Sequence, residues 1–326
     1  MSSARQISWI VAAIVTFLLA AMVLPCIGPG FISLHRVLAK ASPDYPIFVE
    51  LRLSRTILGL MAGGALSLAG CLFQSMLRDS LATPYTLGIS AGASLGAVLT
   101  LAFDLDRLVG LPATWMGAIA GAGIVLLIVG GASWNGGQLS GTRLLLCGIS
   151  LNAVCSAFIV LTDSVVREQR SFSITQWLLG SVDAVSYRAL LIFGAAAVIA
   201  SVIVIRQARA WNLLAVSEAW ASSRGVDMRR LMITGYCCGS VLTAGAIALT
   251  GPIGFVGLIV PHLVRSRISP DNRILMPCSL LFGGVLLAGC DTIGRLVLAP
   301  AELPAGAIMA LIGGPYLVWL VRRRFT

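Results

Sequence analysis

Charge is what this chain has least of. Only 11% of its 326 residues are Asp, Glu, Lys or Arg, against about 25% in a soluble domain, so it cannot cover a water-facing surface with polar side chains. Lysine is almost missing: 22 of the 23 basic residues are Arg, and Lys40 is the sole exception. Without a lysine in a glycine-rich run there is no phosphate-cradling GxxxxGK[ST] loop, which excludes a built-in ATP motor. The eight Cys are scattered through apolar stretches without a CxxC pair, which argues against a disulfide framework or a metal site and leaves them as small packing residues. His35 and His262 fall on opposite sides of the topology derived below, so they form no metal pair, and no cofactor motif is present. No Asp, Glu, Lys, Arg or His occupies the centre of a clear apolar span. Proton- or sodium-coupled carriers keep ionisable groups at depth, so that class is disfavoured. The net charge of +10 does not indicate a nucleic-acid binder in a chain this apolar.

What is present is hydrophobic sequence: 58% of residues, with a mean hydropathy of +0.94. Ten segments are long and apolar enough to be read as spans: 9–27, 57–77, 87–103, 108–132, 144–161, 189–205, 231–250, 253–264, 274–290 and 305–321. The first lacks a small-residue cleavage pattern leading into a hydrophilic domain and is read as a retained span. The expected fold is therefore an all-α polytopic membrane protein of about ten transmembrane helices. One transmembrane domain covers 1–326, with no separate soluble domain. Residues 231–264 carry no charge over 34 positions; as one helix they would run about 51 Å against a hydrocarbon core of about 30 Å. Gly251-Pro252 supplies a break, giving a broken helix hairpin whose tip needs protein or a water-filled cavity around it. Gly251 and Pro252 are thus candidate path-lining residues.

An even span count puts both termini on one side. If that side is the cytoplasm, the inner loops carry 14 Arg and 4 acids, and the outer loops 9 basic and 9 acidic residues. The whole excess of +10 falls on the inner face, as the positive-inside rule requires. Small residues at four-residue spacing (Gly88, Gly92 and Gly96; Gly59 and Gly63; Gly117 and Gly121; Gly235 and Gly239) point to close helix packing or a dimer face.

The longest inner connection, 206–230, reads as two short helices separated near Gly225, with Glu218 early in a turn. Leu213, Leu214, Glu218, Arg224 and Gly225 are its candidate contact residues for a cytoplasmic subunit. An interfacial amphipathic segment is the alternative. On the outer side Arg52 and Arg55 precede span 2 and Arg295 follows span 9, against the charge bias. Arginine suits carboxylate partners, either on an external protein or locally, as Glu50 and Asp291.

Several stretches resemble one family. Leu51-Arg52-Leu53-Ser54-Arg55-Thr56 is similar to the "RLPRT" motif of the FecCD-type permeases, the membrane subunits of ABC importers for iron–siderophores, haem and cobalamin. Leu81-Ala82-Thr83-Pro84 with Leu87-Gly88-Ile89-Ser90-Ala91-Gly92-Ala93 resembles their "NPLAxPxxLGxSxGA" segment. The run Gly251 to Arg265 (GPIGFVGLIVPHLVR) and Glu302-Leu303-Pro304 with Gly306 also fit. The family's "NP" is Asp79-Ser80 here, and the glycine before its loop glutamate is Ser217. The resemblance implies a homodimer in the bacterial inner membrane enclosing one path, non-enzymatic itself, with no cofactor. Two cytoplasmic ATPase subunits would dock at 212–228, and an external substrate-binding protein would dock at Arg52 and Arg295. Asp79, Leu81, Gly141 and Thr142 map to the cytoplasmic gate. The implied substrate is a metal chelate, an iron–siderophore first, with cobalamin or haem as the alternative. A stand-alone secondary carrier is the remaining reading.

Overall fold

The computed structural model describes residues 3–30, 32–103, 105, 113–135, 138–299 and 301–324. Fourteen helices are used here: α1 (Ser3–Val23), α2 (Leu34–Leu38), α3 (Ser54–Leu77), α4 (Ile89–Ala102), α5 (Ala113–Ala132), α6 (Gly141–Val165), α7 (Glu168–Leu178), α8 (Tyr187–Arg206), α9 (Ala208–Val216), α10 (Glu218–Ser223), α11 (Met228–Thr250), α12 (Val256–Arg267), α13 (Asn272–Val297) and α14 (Ala305–Arg324). A wide π-type turn, Ile47–Leu53, runs straight into α3. Between α5 and α6 a two-residue strand pair (Trp134–Asn135 with Gln138–Leu139) closes a tight hairpin.

Among the described residues, seven helices are long and apolar enough to cross a membrane: Ile7–Cys26, Asp44–Leu77, Ala113–Ala132, Gly141–Val165, Tyr187–Arg206, Met228–Thr250 and Asn272–Val297. The other three expected spans are shorter. Ile89–Ala102 and Ala305–Leu320 are short apolar helices, and α12, with 12 residues, reaches only about 18 Å. The chain is thus a multi-pass, all-helical membrane protein.

Why α3 lies at the centre follows from its glycines. Its span is 89% buried, against 6% for α1 and 17% for α6. Gly63 faces Gly283 of α13, where a methyl on Gly283 would stand 2.6 Å from the Gly63 carbonyl oxygen. Gly70 faces Gly257 of α12, where a methyl on Gly257 would stand 2.7 Å from the Leu66 carbonyl oxygen. Backbone therefore meets backbone along α3, which helices packed within a membrane achieve only through small residues. The Gly92/Gly96 and Gly117/Gly121 rows do the same between α4 and α5; a Cβ on Gly92 would lie 2.8 Å from the Gly121 carbonyl. These rows are internal seams. Gly235 and Gly239 differ, forming slots for the rings of Trp211 and Phe73.

The helix starts follow ordinary capping rules. Asp227, Asp271, Ser217 and Ser186 stand at the N-caps of α11, α13, α10 and α8, and each accepts a backbone N–H with its side chain.

Candidate functional site

At the arginine-rich end of the bundle, α3 stops at Arg78, which adopts a left-handed conformation with φ of 53°. The chain turns at once: Asp79 Oδ1 accepts the Leu81 backbone N–H at 2.9 Å, a local turn made by a short acidic side chain. The Arg78 guanidinium reaches across to Glu218 at the start of α10, at 3.2 Å. Beside this pair lies a polar cavity of about 260 Å³, lined by Met76, Leu77, Arg78, Leu139, Ser140, Gly141, Thr142 and Glu218. Two of the positions expected at the gate, Gly141 and Thr142, thus share one cavity with Glu218 of the 206–230 connection. Asp79 and Leu81 are not among its lining residues, and Leu81 is exposed on the adjoining turn.

The 206–230 connection does contain two short helices, but they part at Ser217 and not at Gly225. Ser217 is extended (φ −168°) and its hydroxyl accepts the Trp220 N–H, so it ends α9 and caps α10 in one residue. Gly225, at φ +80°, ends α10 instead. The expectation also misjudged which leucines are available. Leu214 is fully buried and Leu213 packs against the core, because α9 lays its apolar face on the bundle. The exposed face is Val216, Glu218 and Trp220, with the Arg224 guanidinium stacked over the Trp220 ring at 4.6 Å.

Three residues that sequence reasoning passed over fix this connection to the bundle. Trp211 is fully buried against Gly235. Asn212 donates its Nδ2–H to Asp271 Oδ1 at 2.6 Å and accepts the Asn272 backbone N–H at 2.8 Å. Arg78 is the third. Their signal was present only as pairing chemistry: Asp271 and Glu218 are two of four acids on a face otherwise rich in arginine.

At the opposite end the flagged arginines turn inward. Arg52 is buried and its Nη2 donates to the carbonyls of Gly30 at 2.8 Å and Pro29 at 3.3 Å. Glu50, the local partner considered for it, is not engaged by it. Arg295 is buried and pairs with Asp291 at 3.1 Å, one helical turn earlier. Arg55 holds the other oxygen of Asp291 at 3.2 Å and Glu302 at 2.8 Å, so one arginine ties α3 to α13 and to the segment before α14. Of these groups only Glu302 is substantially open to solvent. Buried guanidinium groups need such partners, since an unpaired buried charge is costly.

The break at Gly251-Pro252 has the surroundings a sub-surface turn needs. Gly251 adopts φ +67°, the Ser181 backbone N–H donates to the Thr250 carbonyl at 2.9 Å, and Gly306 N–H donates to Gly180 at 2.9 Å. A Cβ on Gly180 would stand 2.5 Å from the Pro252 carbonyl oxygen. Protein therefore encloses the tip, between the end of α7 and the start of α14.

Comparison with known proteins agrees over the whole chain. The family model described as the FecCD transport family matches residues 9–323. The hemin transport system permease protein HmuU of Yersinia pestis is 35% identical over 94% of this chain and 95% of its own length. The ferric enterobactin transport system permease protein FepD of Escherichia coli is 38% identical over 87% and 84%. The vitamin B12 import system permease protein BtuC of Salmonella paratyphi A is 32% identical over 97% and 95%. Among solved structures, an ABC transporter of the metal-chelate type in an inward-facing conformation superposes with a TM-score of 0.86 at 27% identity, covering 96% of this chain and 98% of its own. With the motifs, the helix seams and these matches in agreement, this chain belongs to the FecCD transport family, the multi-pass membrane permeases of ABC importers for metal chelates, haem, siderophores and vitamin B12.

Proposed function

We propose that the chain forms the translocation path for an iron–siderophore complex. It works as a homodimer of ten-span subunits with both termini in the cytoplasm of a bacterial inner membrane. Two ATPase subunits bind the exposed face of α9 and α10, and an external binding protein delivers the substrate to the opposite end. The observation that carries this reading is the cavity shared by Gly141, Thr142 and Glu218: a force applied to α10 acts directly on the end of α3 through Arg78. Asp79 and Leu81 complete the gate from the adjoining turn, and Gly251 and Pro252 border the path. On this reading Arg52 and Arg295 support the outer docking surface from beneath, shaping the loops that carry it.

Support for the dimer comes from α6. Only 17% of its span is buried within one chain, and Ser150, Ala153, Ser156 and Ala157 stand outward among large apolar residues such as Leu146, Phe158 and Leu161, small positions at which a second helix can approach closely. The cargo assignment draws on the iron chelate named for one relative. Cobalamin or haem is the second reading, since relatives of similar identity are named for each.

Co-reconstitution in proteoliposomes with the ATPase and binding protein tests the proposal. ATP-dependent uptake of a ferric siderophore is the expected result. Uptake of cyanocobalamin or haem instead reassigns the cargo. Uphill uptake by this chain alone on a proton gradient overturns the importer reading.

A further inference from the structure

A second cavity, of about 620 Å³, lies between α5, α8 and α11, within the size range of small-molecule sites. Nothing in the proposed transport cycle uses it. Its walls are apolar except for Ser186, Arg188 and Ser240, and Ser240 is satisfied by donating to the Tyr236 carbonyl at 2.7 Å. Space comes partly from Gly123, where a Cβ would meet nothing within 4 Å. Met116, Ile119, Ile192 and Val241 line it while being about half exposed or more, so the cavity is a groove opening sideways from the bundle.

Its depth matches one leaflet. From Trp115 to Leu126 along α5 is about 16 Å, roughly half of a hydrocarbon core of about 30 Å. The polar edge sits at one end only, where α8 begins and α11 ends. There Arg188 is exposed and, among the described residues, makes no hydrogen bond or ion pair. It stands in the first turn of α8, against the positive end of that helix's dipole. An anion at this point would satisfy both the guanidinium and the helix end. Trp115 lies at the same end, the level at which tryptophan sits in a membrane interface.

We propose that this groove is a binding site for an anionic glycerophospholipid. One acyl chain fills the apolar cleft, and the phosphodiester is paired with Arg188, whose planar fork suits phosphate. Assignment to the outer leaflet rests on the orientation proposed above; the binding itself does not.

Native mass spectrometry of the full chain in detergent, titrated with palmitoyl-oleoyl phosphatidylglycerol, tests this. One saturable lipid per chain is expected. Gly123→Leu, which fills the cleft without a backbone clash, should weaken retention at least tenfold. Arg188→Gln should weaken it about tenfold, as for loss of one charge-assisted pair, while leaving the weaker retention of uncharged diacylglycerol unchanged. Arg188 is exposed, so this variant keeps the test open if the glycine variant misfolds. Equal retention by wild type and both variants overturns the site, as does full competition by millimolar inorganic phosphate, which would indicate headgroup binding alone. A photo-crosslinking amino acid at Ile119, used in native membranes, should yield a phospholipid adduct; a covalent dimer of the chain would instead assign the groove to a second copy.

Discussion

Asn212 and Asp271 are joined at 2.6 Å, side chain to side chain, across 59 residues of sequence. The bond fastens α9, in the first half of the 206–230 connection, to the cap of α13. Because the Asn212 oxygen also accepts from the Asn272 backbone, the amide is used in both directions and leaves little freedom for α9 to lift away.

Asn212→Leu removes both bonds while keeping the side chain's branched heavy-atom shape. A stability loss of about 1–3 kcal/mol is expected, since the orphaned groups are only part-buried hydrogen-bonding partners of one amide. ATP hydrolysis by the assembled complex should continue while substrate uptake per ATP falls. Unchanged stoichiometry in reconstituted vesicles would place the transmitting contact elsewhere.

Arg78 offers a cleaner separation of stability from function. Its left-handed backbone at the C-cap of α3 is a position glycine takes without strain. Arg78→Gly should therefore be neutral or stabilise by up to about 1 kcal/mol, the exposed pair with Glu218 contributing little. Uptake should nevertheless drop, and Glu218→Arg should drop it further by turning an attraction into repulsion. The exchange Arg78→Glu with Glu218→Arg should recover part of the uptake. Absence of any recovery, with assembly intact, would show that the pair does not couple the two elements.

Much of this architecture was legible in the sequence because it depends on local rules. The glycine rows at four-residue spacing mark seams since only a missing Cβ lets two backbones meet, and Gly251-Pro252 marks a break since proline cannot continue a helix. What the sequence hid depends on direction. Leu213 and Leu214 are indistinguishable from exposed contact residues until α9 is seen lying on α3 and α13. Arg52, Arg55 and Arg295 read as an outward-facing set because a charge tally records the side of the membrane and not the rotation of a helix. The position of α12 was equally hidden: the expected span 253–264 has the right length, but the helix runs Val256–Arg267, and only the left-handed Phe255 before it shows where it starts.

Seam glycines and open glycines should respond oppositely to substitution. Gly257→Leu must push α12 off α3, where the opposing atom is the Leu66 carbonyl. Overpacking of this kind costs about 1–3 kcal/mol or more, and little correctly folded protein should survive detergent extraction. Gly289→Ala, with nothing within 4 Å of the added carbon, should gain about 0.5–1 kcal/mol from helix propensity. Size-exclusion profiles and thermal melts in one detergent compare the two. A well-folded Gly257→Leu protein would mean that the α3–α12 contact is looser than described.

The arginines at the opposite end separate two roles through stability and association measured on the same variants. Arg55→Ala leaves Asp291 with Arg295 alone and Glu302 without its partner. Because Asp291 is buried, breaking the pair should cost about 3–5 kcal/mol. Arg295→Glu is more severe: it sets a second carboxylate where a guanidinium stood 3.1 Å from Asp291, so the variant should lose its melting transition or adopt it only at low pH, where one acid is protonated. Arg52→Glu strips donors from the Gly30 and Pro29 carbonyls and should loosen the segment before α2. Glu302 differs, being about half exposed, and Glu302→Gln should change stability by no more than about 1 kcal/mol. Thermal melts rank these effects, and surface-plasmon measurements with the external binding protein read association. If the buried arginines act as staples, melting temperature and association fall together in Arg52→Glu and Arg295→Glu. A variant whose melting is unchanged while association slows, increasingly so at low salt, would instead show a guanidinium reaching a partner's carboxylate directly, and would return Arg52 or Arg295 to the contact surface.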